Sequence, residues 1–242
     1  MKTLKSLLKI AIIPILVGSL NGKINAQESV KTEKPKIKVN FSSDLKSHYV
    51  ARSGYVLGKG PHKQDFLSIG NKNLDAFFWS DYDFGAKNLG EIDIGLEYSK
   101  KFKNFSANLS ANYLYYPRGV DDRTISLSLK QGKKIKKKLI LDLFFKNKSI
   151  SNGLVVKGII SKELKLSKNL AINPNLSFSY VNSFYGDTGL SGIIPGINST
   201  YEFENFSLNG FLNYQFGFIN NPKMLPPAKN QFYGGIGISK EF

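Results

Sequence analysis

Two histidines occur in the whole sequence, His48 and His62, and they bracket a stretch that also holds Gly54, Gly58 and Gly60. Asp81 and Asp83 end a segment expected to stand at the same level. A histidine held by a carboxylate can take a proton from water, so this group has the residue types of a hydrolase. The rest of that chemistry is missing. No second matching couple of side chains follows, and neither histidine has a serine two residues after it to serve as nucleophile. Two histidines with scattered carboxylates show no metal-ligand spacing. The absence of cysteine excludes thiolate sites, disulfides and a lipid anchor. No glycine-rich phosphate loop opens a helix. The chain therefore reads as non-enzymatic, with no catalytic, cofactor or metal residue, and its histidines and aspartates read as hydrated rim residues.

The other candidates are charges and amides that recur at every second position. Lys38, Asp44, Lys46 and His48 share a face with Asn40 and Ser42, and Glu91, Asp93 and Glu97 line up on another segment. Asn108 and Asn112 stand among Ser106 and Ser110. Small polar side chains interrupted by charge suit a crowded, watery lumen, where charge sets the sign of the ions that pass. The competing reading is ion pairing across a narrow lumen that fills it.

These residues need strands to aim them. Twelve segments alternate at period two: 36–49, 63–71, 74–83, 90–99, 105–116, 123–130, 138–146, 154–163, 171–182, 191–203, 206–218 and 230–242. The clearest sets Phe105, Ala107, Leu109, Ala111, Tyr113 and Tyr115 against Ser106, Asn108, Ser110 and Asn112. The third is the weakest, because Phe77 and Trp79 share a face with Asp75 and Asp81. Alternation alone also fits a soluble sandwich, so the aromatics decide. Aliphatics such as Ile94, Leu109 and Leu176 hold mid-strand positions, while Tyr98, Phe105, Phe203, Phe206 and Phe242 gather at one end. Tyr49, Tyr115, Phe145, Tyr180 and Phe216 gather at the other. Two aromatic girdles around an aliphatic band are those of a membrane barrel. Tight connections at Asn71–Asn73, Lys100–Asn104 and Glu204–Asn205 alternate with longer ones at Arg52–His62, Ser183–Leu190 and Ile219–Lys229. The short turns are expected on the periplasmic side and the long loops, as exposed irregular backbone, outside.

The first 26 residues differ: Lys2, Lys5 and Lys9 precede an apolar run from Ile10 to Leu20, as in a signal peptide cleaved after Ala26. The expected organisation is a signal peptide over 1–26, a periplasmic tail over 27–35 and a barrel over 36–242. Loss of four lysines with the signal lowers the formal net charge from +16 to +12. An exported chain seldom meets nucleic acid, so none is expected as a partner. The runs Lys100-Lys101-Phe102-Lys103 and Lys133–Lys138 read as turns that face water or anionic headgroups. Membrane lipid and lipopolysaccharide are the expected partners. The last strand alternates to Phe242 and resembles the signal that the barrel-assembly machinery recognises.

The first half resembles the TorF family of outer-membrane porins through Tyr49-Val50-Ala51-Arg52, Ser80-Asp81-Tyr82-Asp83-Phe84, Glu91-Ile92-Asp93-Ile94 and Tyr115-Tyr116-Pro117. The resemblance implies a small pore in the outer membrane of a Gram-negative bacterium, without naming a solute. The fold expected is all-β, a transmembrane antiparallel barrel of about twelve strands. The expected function is passive diffusion of ions or small polar solutes through a lumen lined by Lys38, Asp44, Lys46, Glu91, Asp93, Glu97, Asn108 and Asn112. The alternative is a closed barrel with a structural or surface-interaction role.

Overall fold

Each alternating run forms a strand, because side chains that point to opposite sides let one face meet lipid and the other water. The computed structural model describes residues 37–58, 60–117, 121–132, 135–145, 152–184, 186–219 and 230–242. The signal peptide and tail expected at the N-terminus lie outside these. The strands are β1 (Lys38–Lys46), β2 (His62–Gly70), β3 (Leu74–Asp83), β4 (Asn88–Lys101), β5 (Phe105–Tyr115) and β6 (Asp122–Gln131). They continue as β7 (Ile135–Phe144), β8 (Gly153–Lys162), β9 (Leu170–Phe184), β10 (Asp187–Glu202), β11 (Ser207–Gly217) and β12 (Gln231–Glu241).

Every strand pairs antiparallel with its sequence neighbours, and β1 pairs with β12 from Asn40↔Glu241 to Lys46↔Gly235. That last ladder closes a twelve-stranded barrel, which leaves no sheet edge to be satisfied in lipid. The outward face is apolar: Ile94, Leu96, Leu109, Leu176 and Leu212 are all exposed, Ile94 and Leu96 to 57%. A soluble protein rarely exposes so continuous an apolar band. Phe105 and Phe203 at one end, and Tyr115, Phe145, Tyr180 and Phe216 at the other, also point outward. Among the described residues one outward ion pair interrupts the band, Lys63 Nζ to Asp65 at 2.7 Å, with Ser43 Oγ donating to Asp65 at 2.6 Å.

The tight turns at the terminal end have local causes. Asn71 Oδ1 accepts from the amides of Asn73 and Leu74 at 3.0 and 3.1 Å, the Asx geometry that bends a chain without help from elsewhere. Two other turns share the pattern Phe-X-Asn-Phe, 102–105 and 203–206. In each the first Phe amide donates to the last Phe carbonyl at 2.8 Å, and the two rings stack with centroids 4.5 Å apart.

Several expectations change. Strands β9 and β10 run to Phe184 and restart at Asp187, so the connection expected over Ser183–Leu190 is tight. Register shifts after Ser179 and Val181, with Gly186 and Gly189 at φ +86° and +141°, absorb the irregular spacing that read as a loop. Lys100 and Lys101 belong to β4, and Lys136, Lys137 and Lys138 belong to β7, so neither lysine run is wholly a turn. Tyr49 belongs to no girdle, for a reason that lies in the first loop.

Candidate functional site: a chamber inside the barrel

The loop between β1 and β2, here L1 (Ser47–Pro61), turns inward. Its core is a two-residue ladder, Tyr49–Val50 against Val56–Leu57, closed by bonds from the amide of Ala51 to Tyr55 O and of Gly54 to Ala51 O, both 2.9 Å. Gly54 sits at φ +85°, a conformation that side chains with a Cβ resist. The tip is then tied to the far wall. Tyr55 donates its hydroxyl to Asp187 at 2.6 Å, Ser179 Oγ donates to Arg52 O at 2.9 Å, and Arg52 meets Asp142 at 3.1 Å. Ser191 Oγ donates to Ser53 O, and Gln215 Nε2 donates to Gly54 O. These bonds use β7, β9, β10 and β11.

Apolar packing supports the same placement. Tyr55, fully buried, packs with Val155, Val181 and Phe184, and Leu57, Phe144 and Ile219 add partly buried contacts. Inward apolar residues on β8 and β9 are unexpected in a watery lumen; they form the seat for L1. The expectation of an exposed irregular loop is therefore wrong for L1. The glycines that suggested exposure serve a tight inward fold instead.

L1 also explains the histidine. His62 is 1% exposed, with Nδ1 2.9 Å from Asp81 Oδ2 and Nε2 3.9 Å from Asp83 Oδ2. Gln64 Nε2 donates to the other Asp81 oxygen at 3.0 Å. Gly58 of L1 lies against the imidazole so closely that a Cβ there would collide with it. The pair is a buried strut under L1 and not a hydrated rim. His48 stands apart, with Nδ1 3.3 Å from Ser47 Oγ.

Beneath L1 remains a chamber of about 990 Å³. Strands β3 and β4 supply its most distinctive wall. In register, Asp81 faces Glu91, Trp79 faces Asp93, Phe77 faces Gly95 and Asp75 faces Glu97. Gly95 is required by the approach of the Phe77 ring, which a Cβ would strike together with Asn112. Phe66 of β2 stacks on Phe77 at 5.9 Å, and Tyr49 of L1 leans over Trp79 at 5.6 Å. Tyr49 and Tyr116 donate to the two Glu91 oxygens at 3.0 and 2.8 Å. So the third strand is weak in alternation because its inward face carries aromatics between acids.

Of the lumen residues expected from sequence, Lys46, Glu91, Asp93, Glu97 and Asn112 line this chamber. Asn108 donates to Glu97 at 2.8 Å, and Asp44 lies 3.6 Å from Lys46. Lys38 does not line the chamber and is paired with Glu241 at 2.6 Å where β1 begins. Sequence reading did not assign Arg52, Asp75 or the aromatic strip to the lumen lining. The shared parity of Asp75, Phe77, Trp79 and Asp81 was the available signal.

No family model matches the sequence, and no curated protein matches it. Solved structures do. A structure described as the KdgM porin in complex with disordered oligogalacturonate superposes with TM-score 0.58 at 11% identity, covering 85% of this chain and 99% of that one. The outer-membrane channel of the COG4313 group from Pseudomonas putida F1 gives 0.57 at 10% identity, covering 89% and 99%. The NanC porin gives 0.54 at 10% identity, covering 85% and 99%. The chain has the fold of these outer-membrane barrels.

Proposed function

We propose that the protein is an outer-membrane channel for passive diffusion of ions or small polar solutes, with L1 as its constriction. The observation that carries this reading is the charged chamber of about 990 Å³ left beneath an inward-folded loop. A barrel meant only as a scaffold would gain more from filling that space, since unfilled volume and unpaired carboxylates both cost stability. The likeness in fold to proteins described as porins and as a channel supports the same reading, as does the resemblance to the TorF family. The outer membrane of a Gram-negative cell is the corresponding location. Lipid and lipopolysaccharide are then the surroundings, and β12, alternating to Phe242, is the element offered to the barrel-assembly machinery.

Single-channel recording in a planar bilayer tests this. Steady conductance is expected, with mild cation preference, because Asp75, Glu91, Asp93 and Glu97 have no ion-pair partner among the described residues. Changing Glu91 and Glu97 to Gln and Asp93 to Asn together should move the reversal potential toward anion preference. The second reading, a closed structural barrel, draws on the dense anchoring of L1 to four opposite strands. Folded protein that never conducts would favour it over the channel.

A further inference from the structure

The chamber contains acceptors that lack donors. Asp93 Oδ1 and Asn112 Oδ1 are buried atoms with no hydrogen-bond partner, and Asn112 has already used its Nδ2 on Thr124 Oγ1 at 2.9 Å. Ser126, 5% exposed, also leaves its Oγ, a donor as well as an acceptor, unpartnered. All three residues line the same chamber. Asn112 faces Gly95 and Thr124 across its two ladders, and Asp93 precedes Gly95 by two residues on the same inward face. Buried acceptors without donors are costly, so their convergence on one cavity marks a place for a group rich in N–H or O–H donors.

Charge and rings narrow the choice. Asp93 lies directly across the ladder from Trp79. Tyr49 closes over that indole and Phe77 lies one inward position below it. Aromatic faces attract cations and repel anions. Asp75, Glu91, Asp93 and Glu97 gather on this wall, and none of them has an ion-pair partner among the described residues. A neutral sugar would satisfy these acceptors but would leave the carboxylates without a counter-charge. An inorganic cation would have no use for the rings. An ammonium supplies three donors and one positive charge.

We propose that this chamber binds small organic solutes through a primary ammonium group. The ammonium donates to Asp93 and Asn112, and Trp79 and Phe77 flank it. The inference deepens the channel reading by naming the solute class, and it needs only that the solute reach the chamber.

Trp79 is the one tryptophan in the sequence, so intrinsic tryptophan fluorescence of the folded protein reads the chamber directly. Titration with 1,4-diaminobutane should give a saturable change, and potassium chloride at matched ionic strength should not. Asp93→Asn should weaken apparent affinity about 10- to 100-fold, the loss of one charge-assisted hydrogen bond. Phe77→Leu should weaken it about 3- to 30-fold through the lost ring face. Glu241→Gln, which removes the same charge where β1 and β12 meet, should leave the titration unchanged. Circular dichroism of each variant checks that the barrel is intact. No saturable response to the diamine, a response shared equally by glucose, or equal weakening by Glu241→Gln would overturn the proposal. Because the readout is binding, its failure leaves the conductance test of the channel standing, and absence of conductance leaves this test standing.

Discussion

Tyr55→Phe should loosen L1 without disturbing the barrel. The ring keeps its contacts with Phe184, at a centroid distance of 6.1 Å, and with Val155 and Val181. What disappears is one hydroxyl, which donates to Asp187 at 2.6 Å in a site 9% exposed. A hydrogen bond to a carboxylate contributes about 1.5–3 kcal/mol. In the swung-out state water replaces the hydroxyl, so nearly all of that difference bears on the in–out equilibrium. At about 1.4 kcal/mol per factor of ten, the swung-out fraction should rise about 10- to 150-fold. The chain has no cysteine, so Ser53→Cys provides a unique reporter at a position 3% exposed. Its labelling by a membrane-impermeant thiol reagent tracks the open fraction when opening is fast relative to labelling. Slow labelling is expected with Tyr55 present and labelling faster by that factor with Phe. Equal rates in the two proteins, or fast labelling already with Tyr55, would refute an L1 held by this bond. Burial first, and the bond to Asp187 second, hold the Tyr55 hydroxyl above its ordinary value of 10. Its donor is therefore fully present below pH 10, and the anchoring it gives fades as the pH rises beyond.

Gly54→Cys with Ser191→Cys should form a disulfide under mild oxidation, since a Cβ at Gly54 would stand 3.7 Å from that of Ser191; failure to form it, read by gel mobility, would place the L1 tip elsewhere. Leu109→Arg should destabilise the barrel by about 2–4 kcal/mol in urea unfolding from lipid vesicles, and Asn108→Arg clearly less, because one faces lipid and the other the lumen. Equal costs would mean the faces are wrongly assigned. Lys63→Met should cost about 1–3 kcal/mol by leaving Asp65 on the outward face without its ion-pair partner, with only Ser43 Oγ still donating to it, and adding Asp65→Leu should recover most of it. A double variant no better than the single would show that the pair does not act as a unit.

What the sequence made legible was whatever a strand reports about itself. Alternation along 105–116 or 206–218 is a property of neighbouring residues, so the twelve strands and the apolar outward face could be read with no knowledge of the partner strands. Errors fell where a residue's role depends on something distant. L1 looked like an exposed loop because Gly54 and Gly58 permit many conformations, and the one adopted is chosen by Asp187, Ser191 and Gln215, more than a hundred residues away. His62 looked like a rim residue for the same reason, since its burial is supplied by Gly58 of the folded loop. The Phe-X-Asn-Phe turns were local and open to view, yet a search for alternation passes over a four-residue pattern repeated a hundred residues apart.

The acidic, aromatic wall is the case where a weak signal carried the most. Strands that only fill a lumen can use serine and asparagine, which pair with one another at little cost, as Asn40 and Ser68 do at 3.1 Å. On β3 and β4 large rings alternate with acids instead, Phe77 and Trp79 between Asp75 and Asp81, across from Glu91, Asp93 and Glu97. Asp81 and Glu91 are tied to His62 and Tyr49, yet the crowded carboxylates repel each other, and the rings are withheld from lipid, where they would be favourable. A wall that lowers stability in two ways at once is best explained by what it meets in the lumen. L1 reinforces the point, because Tyr49 brings a further ring to Trp79 and a hydroxyl to Glu91. The loop that narrows the barrel thus completes the surface beneath it, and constriction and solute recognition belong to one structure.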